Sequence, residues 1–163
     1  MSSEKSIPSF DYQAAPGHLI RRAQQIAVAL FVEETHAFDI TPIQFAMLSE
    51  LAQADSIDQV TLAARVAVDV ATLGQVARRL EERKLIERQN DSQDQRRKLL
   101  AITAQGRRTL RQLSTAVTSA QARIVAPLTA REQATFSRLL LKLVHHNNEQ
   151  SRAPMRRDEA VSM

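Results

Sequence analysis

Cysteine and tryptophan are absent from this 163-residue chain, and glycine occurs only three times. Without cysteine the chain has no disulfide, no thiolate metal ligand and no thiol-based redox switch. Three glycines are too few for a glycine-rich phosphate loop, and no nucleophile-elbow motif is present. The sequence contains neither a signal peptide nor an apolar run of membrane-spanning length, so we expect a cytoplasmic protein without a membrane partner.

The four histidines do not form a catalytic or metal-binding pattern. Adjacent residues of a helix point about 100° apart, so the neighbours His145 and His146 do not form a metal-binding face. We interpret them, with His18 and His36, as ordinary helix-surface side chains. The sequence therefore predicts neither an enzyme nor a protein with a metal or another cofactor.

The chain is 44% hydrophobic, which is sufficient for the core of one domain. Helical periodicity runs over 16–38. Thr41 and Gln44 then form a capping box around a proline, which predicts a helix to about Gln53. Near the other end, Thr103 can cap a helix to about residue 126, and a second capping box at 129–132 opens a helix to about residue 149.

The stretch 61–103 has the pattern of a helix, a turn, a second helix and a hairpin. Thr61 can cap the first helix and Asp69 the second. The runs 85–88 and 98–103 flank a polar, turn-rich segment, as the strands of a β-hairpin do. Together these elements predict a winged helix-turn-helix, which places its second helix in a DNA major groove.

Positive charge is concentrated in the same region. The segment 78–111 carries eleven basic and five acidic residues, a surplus of six, whereas the whole chain carries +4. The rest of the chain is therefore negative by two. Such focusing favours a phosphate-binding surface, because each neutralised phosphate releases counterions. The alternative for a charge run by itself is a solvated helix face with a solubilising loop.

The same residues resemble the MarR family of transcriptional regulators, from about Pro16 to Glu149. The shared features are a leucine at the end of the recognition helix, an Asp-x-Arg in the wing and a closing Ile-Thr-x-x-Gly, here Leu80, Asp94, Arg96, Ile102, Thr103 and Gly106. The resemblance implies a DNA-binding regulator.

Three residues depart from the family pattern. Lys84 stands where a helix-ending glycine is usual, so this turn either holds a left-handed residue, at roughly 1 kcal/mol, or closes differently. Gln75 and Gln95 replace frequent arginines. These two departures bear on the target sequence rather than on the binding mode.

The expected fold is mainly α with a small β-hairpin wing, that is, an α+β winged helix-turn-helix head between N- and C-terminal dimerisation helices. One head cannot bury three amphipathic helices, so we expect a homodimer on a pseudo-palindromic site. The alternative is an intramolecular bundle in a monomer. The expected organisation is a flexible arm (1–15), a single domain (16–149) with dimerisation helices (16–38 and 104–149) around the head (41–103), and a disordered tail (150–163).

The predicted DNA contacts divide by chemistry. Gln75 can pair bidentately with adenine, and Val70 offers methyl groups to thymine. Arg78 and Arg79 lie later in the helix, where phosphate contacts are expected. The resemblance implies that Arg96 probes the minor groove. The full predicted set is Thr61, Arg65, Val70, Ala71, Thr72, Gly74, Gln75, Arg78, Arg79, Arg96, Arg97 and Lys98.

A ligand site is expected at the start of the first helix. His18 and Arg22 share a helix face, which places a hydrogen-bonding ring beside a fixed cation. The resemblance implies that a small-ligand pocket lies close by, with Phe45 and Leu48 as apolar walls. A small aromatic or heteroaromatic carboxylate would suit this pair. The alternative is a solvated histidine and arginine near a helix start.

We therefore expect a ligand-responsive dimeric transcriptional repressor. Its partners would be double-stranded DNA with a pseudo-palindromic operator, a second copy of the chain and an aromatic acid as effector. The alternative function is a constitutive architectural DNA-binding protein without an effector.

Overall fold

The computed structural model of the chain describes residues 10–91 and 98–156. The elements within these ranges are α1 (Pro16–Thr35), α2 (Pro42–Ala52), β1 (Ile57–Asp58), α3 (Gln59–Arg65), α4 (Val70–Glu82), β2 (Ile86–Asn90), β3 (Lys98–Ile102), α5 (Ala104–Val125) and α6 (Ala130–His146). Short 3-10 turns follow α1 at His36–Phe38 and α6 at Asn148–Gln150. The predicted fold class, mainly α with a small antiparallel sheet, is confirmed.

Most helices begin at the predicted caps. Asp69 caps α4, Thr103 caps α5, and complete capping boxes at Thr41 and Thr129 open α2 and α6. Each of these caps accepts a hydrogen bond from the backbone N–H three residues later, which satisfies a donor that the helix leaves unpaired.

The prediction that Thr61 caps α3 is wrong. Asp58 is the cap, because its Oδ1 accepts from the backbone nitrogens of Val60 at 3.1 Å and Thr61 at 3.0 Å. The Thr61 hydroxyl donates to the other carboxylate oxygen at 2.7 Å. A carboxylate can accept all three bonds at once, which a hydroxyl cannot, so the helix starts earlier than predicted.

Two helices also end earlier than predicted. The first ends at Thr35 rather than Phe38, and α6 ends at His146 rather than Glu149. In both cases the remaining residues tighten into a 3-10 turn, as helix ends often do.

The core of the head lies between α2, α3, α4, the start of α5 and the sheet. Its large, fully buried side chains include Met47, Leu48, Leu51, Leu62, Leu73, Leu80, Ile86, Leu100 and Leu113. Leu48 and Leu51 anchor α2 in this core. Phe45 is half-buried, and its ring lies 5.9 Å from the ring of Phe31 on α1.

The predicted hairpin is present and belongs to a three-stranded antiparallel sheet of order β1-β3-β2. Its strands pair from Ile86 opposite Ile102 to Asn90 opposite Lys98. The third strand, β1, was not predicted. It has only two residues, too few for an alternating pattern to be recognised.

The turn from α4 into β2 closes through a left-handed lysine. Lys84 has φ of 59°, its nitrogen donates to Glu81 O at 2.8 Å, and Leu85 N donates to Leu80 O at 2.9 Å. The Thr103 hydroxyl donates to Lys84 O at 2.7 Å. The turn therefore keeps the geometry of a glycine-ended helix, and the bond from Thr103 helps to hold it.

Helix α1 packs mainly on α5. Arg123 of α5 holds two carboxylates of α1, with Nη1 2.6 Å from Glu34 Oε1 and Nη2 3.2 Å from Glu33 Oε2. The hydrogen bond from Arg123, with a second from Ser119, lowers the pKa of Glu34. No single helix of the described residues has the length and apolar composition to cross a membrane; α3 and α4 pass that test together but are bent by 104° at their junction.

The outer faces of α1 and α6 are apolar and exposed. On α1 these side chains are Leu19, Ile20, Ile26, Val28 and Val32, and on α6 they are Phe136, Leu139, Leu140, Leu141, Leu143 and Val144. None of the α6 residues is buried within the chain. Large apolar side chains exposed in such number on two helices favour an interaction site there.

Candidate nucleic-acid interface

The two helices of the predicted reading motif meet at 104°, within the range typical of a DNA-binding helix-turn-helix. Ala67 in the turn has φ of 54°. Asp69 then caps α4: its Oδ1 accepts from Thr72 N and its Oδ2 from the Thr72 hydroxyl, both at 2.8 Å. The geometry of this turn fixes the direction in which the N-terminus of α4 projects.

One face of α4 is buried and the opposite face is open. Leu73, Ala77 and Leu80 are completely buried in the head. The exposed residues among those predicted to meet DNA are Val70, Ala71, Gln75, Arg78 and Arg79. The first turns therefore present an amide and small apolar groups, and two arginines follow about one turn later.

Thr72 and Gly74, two further residues of α4 that are predicted to contact DNA, have structural roles. The Thr72 hydroxyl is used by the cap of the helix. A Cβ at Gly74 would lie 3.1 Å from Gln59 Nε2, and that same nitrogen donates to Val70 O at 3.3 Å. Gly74 thus faces α3, where the absence of a side chain lets Gln59 bridge the two helices.

Thr61 and Arg65, the predicted backbone contacts of α3, lie together. Both line a shallow groove of about 350 Å³ between α3 and the sheet, with Asp58 and Leu99 among its other walls. Arg65 Nη1 lies 3.9 Å from Glu50 Oε2. The groove places a hydroxyl and a guanidinium side by side on the flank of the head.

The wing extends from the C-terminal end of α4. Arg88 on β2 donates from Nε to Glu81 Oε2 at 3.0 Å, which joins the wing to α4. Arg96 and Arg97 lie outside the described residues, as does the side chain of Lys98. The structure therefore describes the base of the wing, and the three predicted wing contacts stay a prediction.

An arginine that sequence reasoning missed fixes the far end of α4. Arg83 donates to Phe38 O at 2.7 Å and to Asp39 O, both in the connector between α1 and α2. No local pattern points to this contact, because donor and acceptors are more than forty residues apart. The contact joins the recognition helix to the helix that leads out of the head.

A second missed contact lies at the other end of α4. Arg152 Nη2 is 3.1 Å from Asp69 Oδ2. The pKa of Asp69 is lowered to about 2, chiefly by the hydrogen bonds from the backbone and hydroxyl of Thr72 and then by Arg152. The prediction of disorder beyond residue 150 is therefore wrong for 151–156, which fold back onto the head; residues 157–163 lie outside the described part.

The four predicted ligand residues are not brought together within the chain. Phe45 lies against Phe31, thirteen residues and hence about 20 Å along α1 from His18. Leu48 is completely buried in the core of the head. The prediction that Phe45 and Leu48 form the walls of the site is thus wrong within the chain. The ring beside His18 is that of Tyr12, edge-on at 5.2 Å between centroids.

Two of the four histidines use a ring nitrogen locally. Nδ1 of His36 is 2.8 Å from Glu33 O, and Nδ1 of His146 is 2.9 Å from Lys142 O. In the part of the chain that the structure describes, no three histidine, aspartate or glutamate side chains converge as a metal site would require.

Comparison with known proteins identifies a family model that matches the head and relatives that match about two thirds of the chain. A family model described as MarR family matches residues 40–98. The transcriptional regulator HosA of Escherichia coli is 31% identical over 107 residues, which are 66% of this chain and 79% of HosA. The transcriptional repressor NicR of Pseudomonas putida is 31% identical over 112 residues, 64% of this chain and 71% of NicR.

Solved structures share the fold. BpsR of Bordetella bronchiseptica, solved to explain regulation of its DNA binding by 6-hydroxynicotinic acid, superposes with a TM-score of 0.78 at 28% identity over 83% of this chain and 96% of BpsR. A mutant of Escherichia coli MarR complexed with operator DNA gives a TM-score of 0.74 at 30% identity over 78% of this chain and 92% of that protein.

Proposed function

This chain belongs to the MarR family of transcriptional regulators, and we propose that it is a cytoplasmic, dimeric repressor that a small aromatic or heteroaromatic carboxylate releases from a pseudo-palindromic operator. The observation that carries the proposal is the open face of α4, where Gln75, Arg78 and Arg79 are exposed above a face buried in the head. NicR is named a repressor, which supports repression rather than activation for this chain.

The placement of α4 supports the proposed reading mode. Its N-terminal turns enter the major groove, where the Gln75 amide reads a base edge. Arg78 and Arg79 contact phosphates, as do Thr61 and Arg65 on the flank of the head. Arg96 enters the adjacent minor groove from the wing tip, supported by Arg97 and Lys98.

The dimer forms through the exposed apolar faces of α1 and α6. Leaving these side chains in water would be unfavourable by about 25 cal/mol for each Å² of apolar surface that a partner could cover. A two-fold axis between these helices presents two heads at once. Half-sites are then centred about one helical turn, roughly 10 base pairs, apart.

Selection from random double-stranded DNA tests the reading mode. A dimeric repressor enriches a sequence with two inverted half-sites at that spacing. Binding that is strong but enriches no sequence would contradict the proposal and favour the architectural alternative. Arg96→Ala is expected to weaken binding to all sequences and to lower the salt dependence by about one phosphate.

The effector binds beside His18 and Arg22, with the ring of Tyr12 as its apolar neighbour. Arg22 supplies the cation for a carboxylate, and the imidazole supplies a hydrogen-bonding group on the same helix face. The heteroaromatic acid named for BpsR supports this class of ligand. The ligand acts only if its affinity differs between the two arrangements of the heads.

Titration of 6-hydroxynicotinic acid and a panel of aromatic carboxylates against the operator complex tests the effector. The His18→Ala, Arg22→Ala double variant is expected to keep operator affinity within a few-fold and to lose release by the acid. Arg21→Ala is the matched control, because Arg21 bonds Gln25 at 3.1 Å on a neighbouring face. Release of the double variant at the parental acid concentration would place the pocket elsewhere.

A further inference from the structure

Hydrogen bonds hold the segment 151–156, which follows α6, against the helix-turn-helix. Asn148 brackets the backbone of Met155: its Oδ1 accepts from Met155 N at 2.8 Å, and its Nδ2 donates to Met155 O at 3.1 Å. The next backbone nitrogen, that of Arg156, donates to Ala64 O in α3 at 2.9 Å. These bonds attach the segment to the last turn of α3.

The two arginines of this segment have different roles. Arg156 pairs through both terminal nitrogens with the Glu149 carboxylate, so its charge is already balanced and it serves as an anchor. Arg152 reaches Asp69, and its side chain is 89% exposed. An arginine carries five N–H donors, so the contact with one carboxylate oxygen leaves donors that face solvent.

Asp69, the partner of Arg152, lies at the N-terminal end of α4. Asp69 directly precedes Val70, the first residue of the helix end that enters the major groove. As a helix cap it must present a carboxylate or a similar acceptor. The negative charge of this cap also repels nearby DNA phosphates. A cation beside Asp69 removes this repulsion and leaves the cap in place.

We propose that the segment 151–156 is part of the DNA-binding surface, in which Arg152 neutralises Asp69 and donates its remaining N–H groups to a backbone phosphate. The inference rests on the proposed function, because it extends the same interface. The Arg152–Asp69 pair is exposed and hence weak, so the guanidinium can turn toward a phosphate without loss of a strong bond. The segment acts alongside α4 and the wing.

Operator binding of the full chain at several salt concentrations tests this role. Arg152→Gln is expected to weaken binding to operator and to random DNA by the same factor, roughly three- to tenfold at moderate salt, and to lower the slope of log affinity against log salt by about 0.9. Arg152→Lys keeps the charge and is expected to keep the slope.

Arg131→Gln is the matched control, because it removes the same charge far from the reading motif. Arg131 lies at the start of α6, beyond the far end of α5, which is roughly 33 Å long. Its salt slope is expected to equal that of the parent. Equal affinity and slope for Arg152→Gln and the parent would overturn the inference alone. Tighter DNA binding by Arg152→Gln would also overturn it, because it would show that the segment covers the end of α4. A lower thermal midpoint of Arg152→Gln with an unchanged salt slope would overturn it as well. A parent without salt-dependent DNA binding would overturn the proposed function as well.

Discussion

The guanidinium of Arg83 donates to the carbonyl oxygen of Asp39, a residue held in the left-handed region at φ of 49°. Arg83 stands at the C-terminal end of the recognition helix, and Asp39 ends the 3-10 turn that follows α1. The pair therefore couples α4 to the end of α1. A change in the angle between head and α1 must break or rearrange this contact.

We expect Arg83→Ala to lower the free energy of unfolding by about 1 to 3 kcal/mol, because it removes charged donors from two backbone carbonyls. Arg83→Lys should recover part of this loss, since a single ammonium group cannot reproduce the fork geometry of a guanidinium. Urea denaturation measures both variants. Arg79→Ala, an exposed neighbour on the same helix, should change stability by less than about 0.5 kcal/mol; an equal loss in Arg79→Ala would contradict the role given to Arg83.

Gly106 allows α5 to begin against the end of the wing. A Cβ there would lie 2.1 Å from Leu85 O and 2.8 Å from Ile102 Cγ1, so backbone would have to move. Gly106→Ala is expected to destabilise the protein by about 2 kcal/mol or more. Gly17→Ala meets nothing within 4 Å and should stabilise α1 by up to about 1 kcal/mol. Thermal midpoints that shift equally for the two variants would refute the packing argument.

Gln75 and Arg78 are expected to separate specificity from affinity. Gln75→Ala should weaken binding by about 1 to 3 kcal/mol at one base pair of each half-site and leave binding to random DNA nearly unchanged. Arg78→Ala should weaken binding to every sequence and lower the salt slope. Competition titrations with operator and random duplexes distinguish the two patterns, and a uniform loss for Gln75→Ala would remove its role as a base reader.

Leu113 of α5 and Leu140 of α6 are expected to respond differently to a substitution that introduces a charge. Leu113 is completely buried within the subunit, whereas Leu140 is 40% exposed on the outer face of α6. Leu113→Asp should unfold the chain, because it buries an unpaired carboxylate. Leu140→Asp should leave the helices folded and abolish the dimer. Circular dichroism and sedimentation test this pair, and a folded monomer of the parent at micromolar concentration would exclude the proposed dimer.

The stability of the head should depend on pH through Asp69. Its pKa in the folded protein is lowered from 3.8 to about 2, so its contribution is present above about pH 4 and is lost as the pH falls toward 2. Asp69→Asn keeps a capping side chain without the charge. The difference in thermal midpoint between the parent and this variant should be constant above pH 5 and shrink below pH 4. A difference that is independent of pH down to 2 would rule out the ionised cap.

The wing illustrates how much of the interface could be predicted. The turn-rich segment between two apolar runs predicted the hairpin, and residues 85–88 and 98–103 overlap β2 and β3. The same pattern could not reveal β1, whose two residues are held by pairing with β3 rather than by their own composition. It also misplaced the start of α3, because Thr61 and Asp58 are both good caps and only the backbone path selects between them.

The sequence by itself determined the features that depend on neighbours within about four residues. The caps at Thr41, Asp69, Thr103 and Thr129 form because a side-chain oxygen reaches a backbone N–H three positions later, whatever the rest of the chain does. Helical spacing likewise determined that Leu73 and Leu80 of α4 face the core.

Only the tertiary structure decided which distant groups meet. Arg83 with Asp39 and Arg152 with Asp69 are separated by 44 and 83 residues. His18 and Phe45, which the sequence analysis assigns to a single pocket, lie apart. Such contacts follow from the lengths of α1 and α5 and from the angles at which the helices pack. These quantities are set by the whole core at once, so no local pattern encodes them.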